Sequence, residues 1–436
     1  MKMNKTLLCA AVAAGLFSVS SATYAAGFQL AEYSATGLGR AYAGEAAMAD
    51  GADAQWRNPA MLTYLEGTQV SVGATYVDPN IDIDGTSTYL TQTGIKQSSS
   101  NSSDFAHSAV IPNFYVSHKY NDKFALGFAA GTNYGMETDL GKDFGGANHG
   151  NEAKVTTMEL NLNAAYQVLD SVSIGGGLRY VMADGHFGAA STANSLAPLP
   201  VGTALKYMEG DDTAWGWQVG TAWQINENNR LGFTYKSEVD LTLEGHAKGV
   251  GFDAVAKPVK SQYNGSLQLA LPATAELASF HQLTEKVALH ASVNWTNWSS
   301  FKELVADIPE FGPASSQDIK QENWEDNYRF AIGTTYQMTP KLALRSGIAY
   351  DTSAVSEEHR TATIPETDRT WLSIGAGYQW SEQLTLDAGF TYILAKDAKM
   401  HEKDPGFGGA DMFGGSFEAE ATGSIWLVGI QANYRF

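Results

Sequence analysis

From residue 68 to the last residue, Phe436, apolar and polar side chains alternate with a period of two, and no other feature of the chain constrains its fold as much. Successive side chains of a β-strand point to opposite faces, so such runs describe a sheet with two unlike surfaces. The final run is the cleanest. Trp426, Val428, Ile430, Ala432, Tyr434 and Phe436 share one face, and apart from Leu427 the other carries Gly429, Gln431, Asn433 and Arg435. The design recurs in Leu372, Ile374, Ala376, Tyr378, Trp380, in Val287, Leu289, Ala291, Val293, Trp295, in Tyr328, Phe330, Ile332, and in Trp215, Trp217, Val219, Trp223, Ile225. Throughout these runs the apolar face lacks Lys, Arg, Asp and Glu. A Lys or Arg facing lipid at the bilayer midplane costs about 2–4 kcal/mol. A face this clean is what a bilayer demands.

The connections count the strands. Short polar turns fall at 121–122, 169–171, 226–228, 284–286, 339–341 and 381–383, and long Gly-, Ser- and acid-rich segments lie at 77–108, 135–154, 185–211, 246–261, 300–326, 352–369 and 394–417. Short and long alternate strictly, the pattern of a membrane barrel with short periplasmic turns and long external loops. Six turns and seven loops join fourteen strands. Residues 262–271 and 273–283 would make fifteen if separate, but only Pro272 divides them. Proline is tolerated at a bulge and single-chain bacterial barrels have even strand numbers, so one bent strand is expected. The expected fold is all-β, a 14-stranded antiparallel transmembrane β-barrel over residues 68–436.

Composition agrees without deciding the matter. Gly (44), Tyr (20), Phe (19) and Trp (10) are abundant and only 17% of residues are charged, as suits tight turns and aromatic girdles. No apolar run of about 18 residues follows the N-terminus, so helical spans are not expected. The N-terminus reads as a secretory signal peptide over residues 1–25: Lys2 and Lys5, an apolar stretch from Leu7 to Val19, then Thr23-Tyr24-Ala25. The single cysteine, Cys9, lies inside that stretch, which leaves no disulfide, thiolate metal site or cysteine nucleophile beyond it. The formal charge of −19 repels nucleic acid. In a barrel the acids are expected mainly in external loops, with divalent cations beside lipopolysaccharide.

Residues 26–67 do not alternate. Ala41 to Ala49 suits a short helix of small residues, and Asn58-Pro59-Ala60 a turn. A fourteen-strand barrel is wider than its own side chains can fill, so this segment is expected to fold inside the lumen as a plug.

At this point the sequence resembles the FadL family of outer-membrane long-chain fatty acid transporters. The resemblance rests on Ala26-Gly27-Phe28-Gln29-Leu30, on Gly37-Leu38-Gly39-Arg40-Ala41-Tyr42-Ala43-Gly44-Glu45 and on Arg57-Asn58-Pro59-Ala60. It extends through Thr132-Asn133-Tyr134-Gly135, Tyr235-Lys236-Ser237-Glu238-Val239, the run Tyr328 to Tyr336, Ile364-Pro365 and Asp368-Arg369. It implies an N-terminal hatch, with Gly37, Gly39, Arg40, Asn58, Pro59 and Ala60 in its signature, and again fourteen strands. It further implies uptake without a cofactor: an external groove captures a hydrophobic ligand, a deeper pocket holds it, the hatch rearranges, and the ligand leaves sideways where the third strand kinks. On this chain the kink falls at Gly131, Thr132, Asn133, Tyr134 and Gly135. Glycine permits such a bend, and the alternative is that these glycines merely end the strand.

A carboxylate inside the lumen calls for Arg, whose planar fork bonds both oxygens. Strand phasing turns Arg179, Arg329, Arg345, Arg230 and Lys236 inward, with Arg179 and Arg329 nearest the expected pocket. Both could instead pair with inward acids such as Glu159, Glu238 or Asp240. The family's pocket lysine before the tenth strand falls at Glu325, and its pocket arginine near the end of the fifth strand has no counterpart in Ala183-Asp184-Gly185-His186. Aromatic hydrocarbons or other lipids therefore stand beside long-chain fatty acids as cargo. Asn80, Asp82, Asp84 and Gly85 resemble a calcium loop, but Thr91 stands where Glu is needed. The His residues lack metal-ligand spacing and no Gly-x-Ser-x-Gly occurs, so neither a metal nor catalysis is expected. The expected partners are the hydrophobic ligand, outer-membrane lipid and lipopolysaccharide, and the barrel-assembly machinery through the strand ending in Phe436; a monomer is expected. The rival functions are a general diffusion porin, which needs an open lumen, a lipid hydrolase, and a structural or phage-receptor role.

Overall fold

The structure is a computed structural model that describes residues 27–91, 94–193, 199–254, 256, 258–403 and 415–436. The expected signal peptide and Ala26 lie outside the described residues. All strands belong to one sheet with antiparallel pairing between neighbours. The first strand, Thr68–Thr91, pairs with Ala109–Lys119 on one side and with Ser416–Arg435 on the other, which closes the sheet into a barrel. Closure removes the free edges that lipid could not satisfy.

The wall has fourteen strands. After the first two come the third in two pieces, Phe124–Gly131 and Gly135–Asp139, the fourth Glu152–Leu169, the fifth Val172–Ala190 and the sixth Ala204–Asn226. The seventh is Asn229–Lys236 with Val239–Lys248, and the eighth Tyr263–Leu271 with Thr274–Gln282. Val287–Thr296, Asn327–Thr339, Leu342–Asp351, Arg369–Gln379, Leu384–Ala395 and Ser416–Arg435 are the ninth to fourteenth. Short segments such as Glu303–Asp307 and Ser316–Gln321 extend the wall on the side of the long connections. The eighth strand breaks at 272–273 and resumes, so the two runs count as one strand, as expected.

The two faces separate as the alternation requires. Trp215, Trp217, Phe330, Ile332, Ile374 and Ile430 are exposed outward, while Asn161, Asn163, Gln218 and Ser373 are buried toward the lumen. The turns close on their own side chains. Asn121 accepts from the amides of Lys123 and Phe124, and the Ser381 hydroxyl from those of Gln383 and Leu384, the local bonding that favours Asn and Ser in turns.

The hatch fills the lumen, and its helix differs from expectation. Helical turns occur at Ala35–Leu38, capped by Ser34 Oγ accepting from Gly37 N at 3.1 Å, and at Glu45–Ala47, not continuously over 41–49. Between them Ala41 and Tyr42 take φ of 51° and 53° and Gly44 a φ of 80°. Left-handed Ala and Tyr are costly, and contact with the wall holds them there. Arg329 donates to the Ala41 carbonyl at 3.0 Å. A Cβ on Gly347 would lie 2.1 Å from the Arg40 carbonyl oxygen, and one on Gly232 1.9 Å from that of Ala46. Wall glycines thus let the hatch backbone touch the barrel.

Candidate ligand pocket and wall gap

The third strand is interrupted at 132–134. Gly131 faces Glu159 and Gly135 faces Thr156, so one residue too many is accommodated and the strand bulges. Thr157 holds the bulge: its hydroxyl lies 2.9 Å from that of Thr132 and donates to the Tyr134 carbonyl at 2.6 Å. Below the bulge the third strand pairs with the second from Phe114 to Lys119. Above it Gly135–Asp139 pairs only with the fourth strand, while residues 109–113 pair only with the first. A single bridge, Ala106 to Thr138, closes the top. Between these limits the wall has a gap in its ladder.

The start of the hatch supplies the missing partner. Leu30 N donates to Asn133 O at 2.7 Å and Gly135 N to Phe28 O at 2.8 Å, making Gln29 and Tyr134 an antiparallel bridge. All five kink residues, Gly131 to Gly135, lie at the gap or the bridge that backs it.

Phe28 looks away from that bridge into an apolar cavity lined also by Met136, Phe187, Leu243, Leu269 and Phe301. Its ring meets Trp298 at 4.6 Å, Phe301 and Trp324 at 5.9 Å and Tyr134 at 6.1 Å. Burial of each CH₂ in such a slot is worth about 0.8 kcal/mol. Lys154, Lys320 and Glu322 are the charged groups in its wall. Glu322 accepts from Trp324 Nε1 at 2.9 Å, and burial pushes its carboxyl above the ordinary range. Sequence reading missed these groups. Lys320 and Glu322 come from the long 300–326 segment, which carries no periodicity; Lys320 reaches the cavity because Ser316–Gln321 pairs back on Glu303–Asp307.

On the other side of the Phe28-to-Leu30 segment lies a second, polar cavity, lined by Gln29, Leu30, Arg57, Lys236, Glu276, Arg329 and Asp351 among others. Both predicted arginines are buried and already engaged. Arg179 grips Glu159 with two bonds of 2.8 Å and gives a third to the Ser237 carbonyl at 2.8 Å. Arg329 holds both Asp351 oxygens at 2.9 Å and stacks 4.1 Å from the Trp371 ring. Glu325, by contrast, is not among the pocket's lining residues.

The hatch residues are structural anchors. Arg40 is fully buried between Glu45 and Asp50, both at 2.7 Å. Asn58 Nδ2 donates to the Ala46 and Thr221 carbonyls at 2.6 and 2.9 Å while its Oδ1 accepts from Ala60 N at 3.0 Å. Pro59 and Ala60 lie on Gly175, where a Cβ would be 2.4 Å from Ala60 N. Gly39 rests against Gly375, and Gly37 under the Tyr42 ring. Among the described residues no group of three or more His, Cys, Asp or Glu side chains could hold a metal ion.

A closed barrel, greasy outside, plugged inside and carrying an apolar pocket beside a wall gap, defines a bacterial outer-membrane transport protein for hydrophobic compounds. The chain belongs to the family described as outer membrane protein transport protein (OMPP1/FadL/TodX), which it matches over residues 16–436. It is 36% identical over 453 residues to a 47 kDa outer membrane protein of Pasteurella multocida, covering 100% of this chain and 99% of that one. It is 33% identical to a long-chain fatty acid transport protein of Escherichia coli, covering 99% of this chain and 100% of the other. A FadL homologue from Pseudomonas aeruginosa has the same fold, with a TM-score of 0.81 at 23% identity, covering 94% of this chain and all of the other.

Proposed function

We propose that the cargo is a long-chain fatty acid, held first in the apolar cavity and released sideways into the bilayer through the gap beside the third strand. The bridge between Gln29 and Tyr134 carries this reading, because one short segment both lines the cavity, through Phe28, and backs the gap. Moving that segment opens the cavity toward the gap in one step. A lateral route keeps the acyl chain out of water, and the apolar lining of the cavity suits such a chain. The Escherichia coli relative's name supports the same cargo. The barrel works as a monomer, seated in outer-membrane lipid and lipopolysaccharide, and its last strand, ending in Phe436, is what the assembly machinery reads.

A cross-link tests the route. Antiparallel partners lie about 4.5–5.5 Å apart at Cα, within disulfide range, and the only native cysteine is Cys9. In the Gln29→Cys, Tyr134→Cys double variant, oxidation is expected to stop uptake of radiolabelled oleate by cells and reduction to restore it. Unchanged uptake in the fully oxidised form overturns lateral release. Mass spectrometry of lipids co-purifying with the detergent-extracted protein tests the cargo: fatty acids are expected, and aromatic hydrocarbons alone would replace them.

A further inference from the structure

The polar cavity contains an uneven set of charges. Three of its cations, or cations next to it, have carboxylate partners: Arg329 with Asp351 at 2.9 Å, Arg57 with Glu276 at 3.5 Å, and Arg179 with Glu159 at 2.8 Å. Lys236 has none. It is 4% exposed, and no carboxylate oxygen among the described residues comes within 4.0 Å of its ammonium. What it touches instead is Asn133 Oδ1 of the kink, at 3.3 Å, and the Trp56 ring of the hatch, 4.7 Å from the centroid. Burying a cation without an anion is expensive, and one polar contact and a ring face offset only part of that cost.

Its position is specific. The segment from Phe28 to Leu30 forms the partition between the two cavities, with Phe28 on the apolar side and Gln29 and Leu30 on the polar side. Asn133 accepts from Leu30 through its backbone and from Lys236 through its side chain. When the partition leaves the kink, Lys236 is therefore the unpaired cation at the junction.

We propose that Lys236 receives the carboxylate head of the ligand at the wall gap, and so makes passage selective for acids over neutral hydrocarbons. The inference rests on the proposed cargo and route and deepens them. An incoming carboxylate completes the missing fourth ion pair without displacing Glu159, Glu276 or Asp351. Lys236 is a specificity residue for the hand-off and has no part in filling the apolar cavity. A neutral hydrocarbon gains nothing from the ammonium.

The test compares two probes on whole cells producing the full chain: radiolabelled oleate and radiolabelled hexadecane. In Lys236→Met, oleate uptake is expected to fall about tenfold, the scale of losing one charge-assisted hydrogen bond, with hexadecane uptake within about twofold of wild type. Lys236→Arg is expected to recover most oleate uptake, which a role in packing alone would not give. Unchanged oleate uptake in Lys236→Met, or equal loss of both probes, overturns the assignment, the latter because it marks a lysine that merely supports the hatch. Failure of the wild-type protein to raise uptake of either probe would count against the proposed cargo and route instead.

Discussion

Tyr134 and Pro272 meet across the lumen: the tyrosine hydroxyl donates to the proline carbonyl at 2.7 Å. Each belongs to an interrupted strand, the third at 132–134 and the eighth at 272–273, so the bond ties one irregularity to the other. Ser237, at the break in the seventh strand, is bound in the same way by Arg179. Irregular backbone at membrane depth survives only where something inside satisfies it. These luminal side chains do so.

Tyr134→Phe should therefore loosen the kink and leave the barrel intact. It strands a buried carbonyl at a cost of about 1–3 kcal/mol, spent on local opening. Amide exchange at Leu30 and Gly135, whose N–H groups form the bridge, is expected to quicken by about tenfold or more. Exchange in the closing pair of first and fourteenth strands should not change. Uniform acceleration around the barrel would show the bond to be part of global stability.

Hatch seating is set by a few close approaches. A side chain on Gly175 would enter the space of Pro59 and Ala60, where even a Cβ comes within 2.4 Å of Ala60 N. Overpacking of this kind costs about 1–3 kcal/mol, and the hatch, held by fewer bonds than the wall, is what yields. Gly175→Val is expected to fold into a barrel of normal heat stability with an enlarged single-channel conductance in planar bilayers. A conductance as low as wild type would mean the Asn58-Pro59-Ala60 turn does not help seal the lumen.

The wall was legible in the sequence because a bilayer imposes one rule along every strand. Alternation, strict short and long connections and a lone Pro272 were enough for fourteen strands. The hatch was legible only as a compact segment. Its helix at 35–38, in place of 41–49, follows from left-handed Ala41 and Tyr42, which the wall at Arg329 and Gly347 holds and which no local propensity encodes. The pocket was least legible. Arg179 and Arg329 face inward as phasing requires, yet their partners Glu159 and Asp351 come from neighbouring strands, and Lys320 comes from a loop without period. Lys236 had the right phase, but its lack of an acid partner is visible only in three dimensions.

The Arg179–Glu159 pair offers a test of its own. Both side chains are 1% exposed, and Glu159 also accepts from Asn133 at 2.7 Å. Removing one member of a buried pair costs about 3–5 kcal/mol, whereas replacing both by apolar groups is often neutral. Glu159→Gln should lower the urea midpoint for unfolding from lipid vesicles clearly. The Glu159→Leu, Arg179→Met double variant should recover much of that loss. A double variant as unstable as the sum of the singles would show that Ser237 and Asn133 depend on these particular charges.

Glu322 gives the pocket a pH dependence whose sign is fixed. Burial raises its carboxyl above the ordinary glutamate value, against the opposing pull of Lys320. A folded-state pKa above the unfolded one means that the folded protein holds the proton more tightly, so stability is fully present at low pH and is lost as pH rises through the raised value. The ionised form also brings a negative charge to the wall of the apolar cavity, beside the Trp324 indole it accepts from. Oleate affinity, measured by fluorescence of a parinaric acid competitor in detergent, should then weaken as pH climbs through that window. Glu322→Gln, which keeps the shape and stays neutral, is expected to flatten the profile and hold the affinity at its low-pH level. A profile identical to wild type would place the titrating group elsewhere.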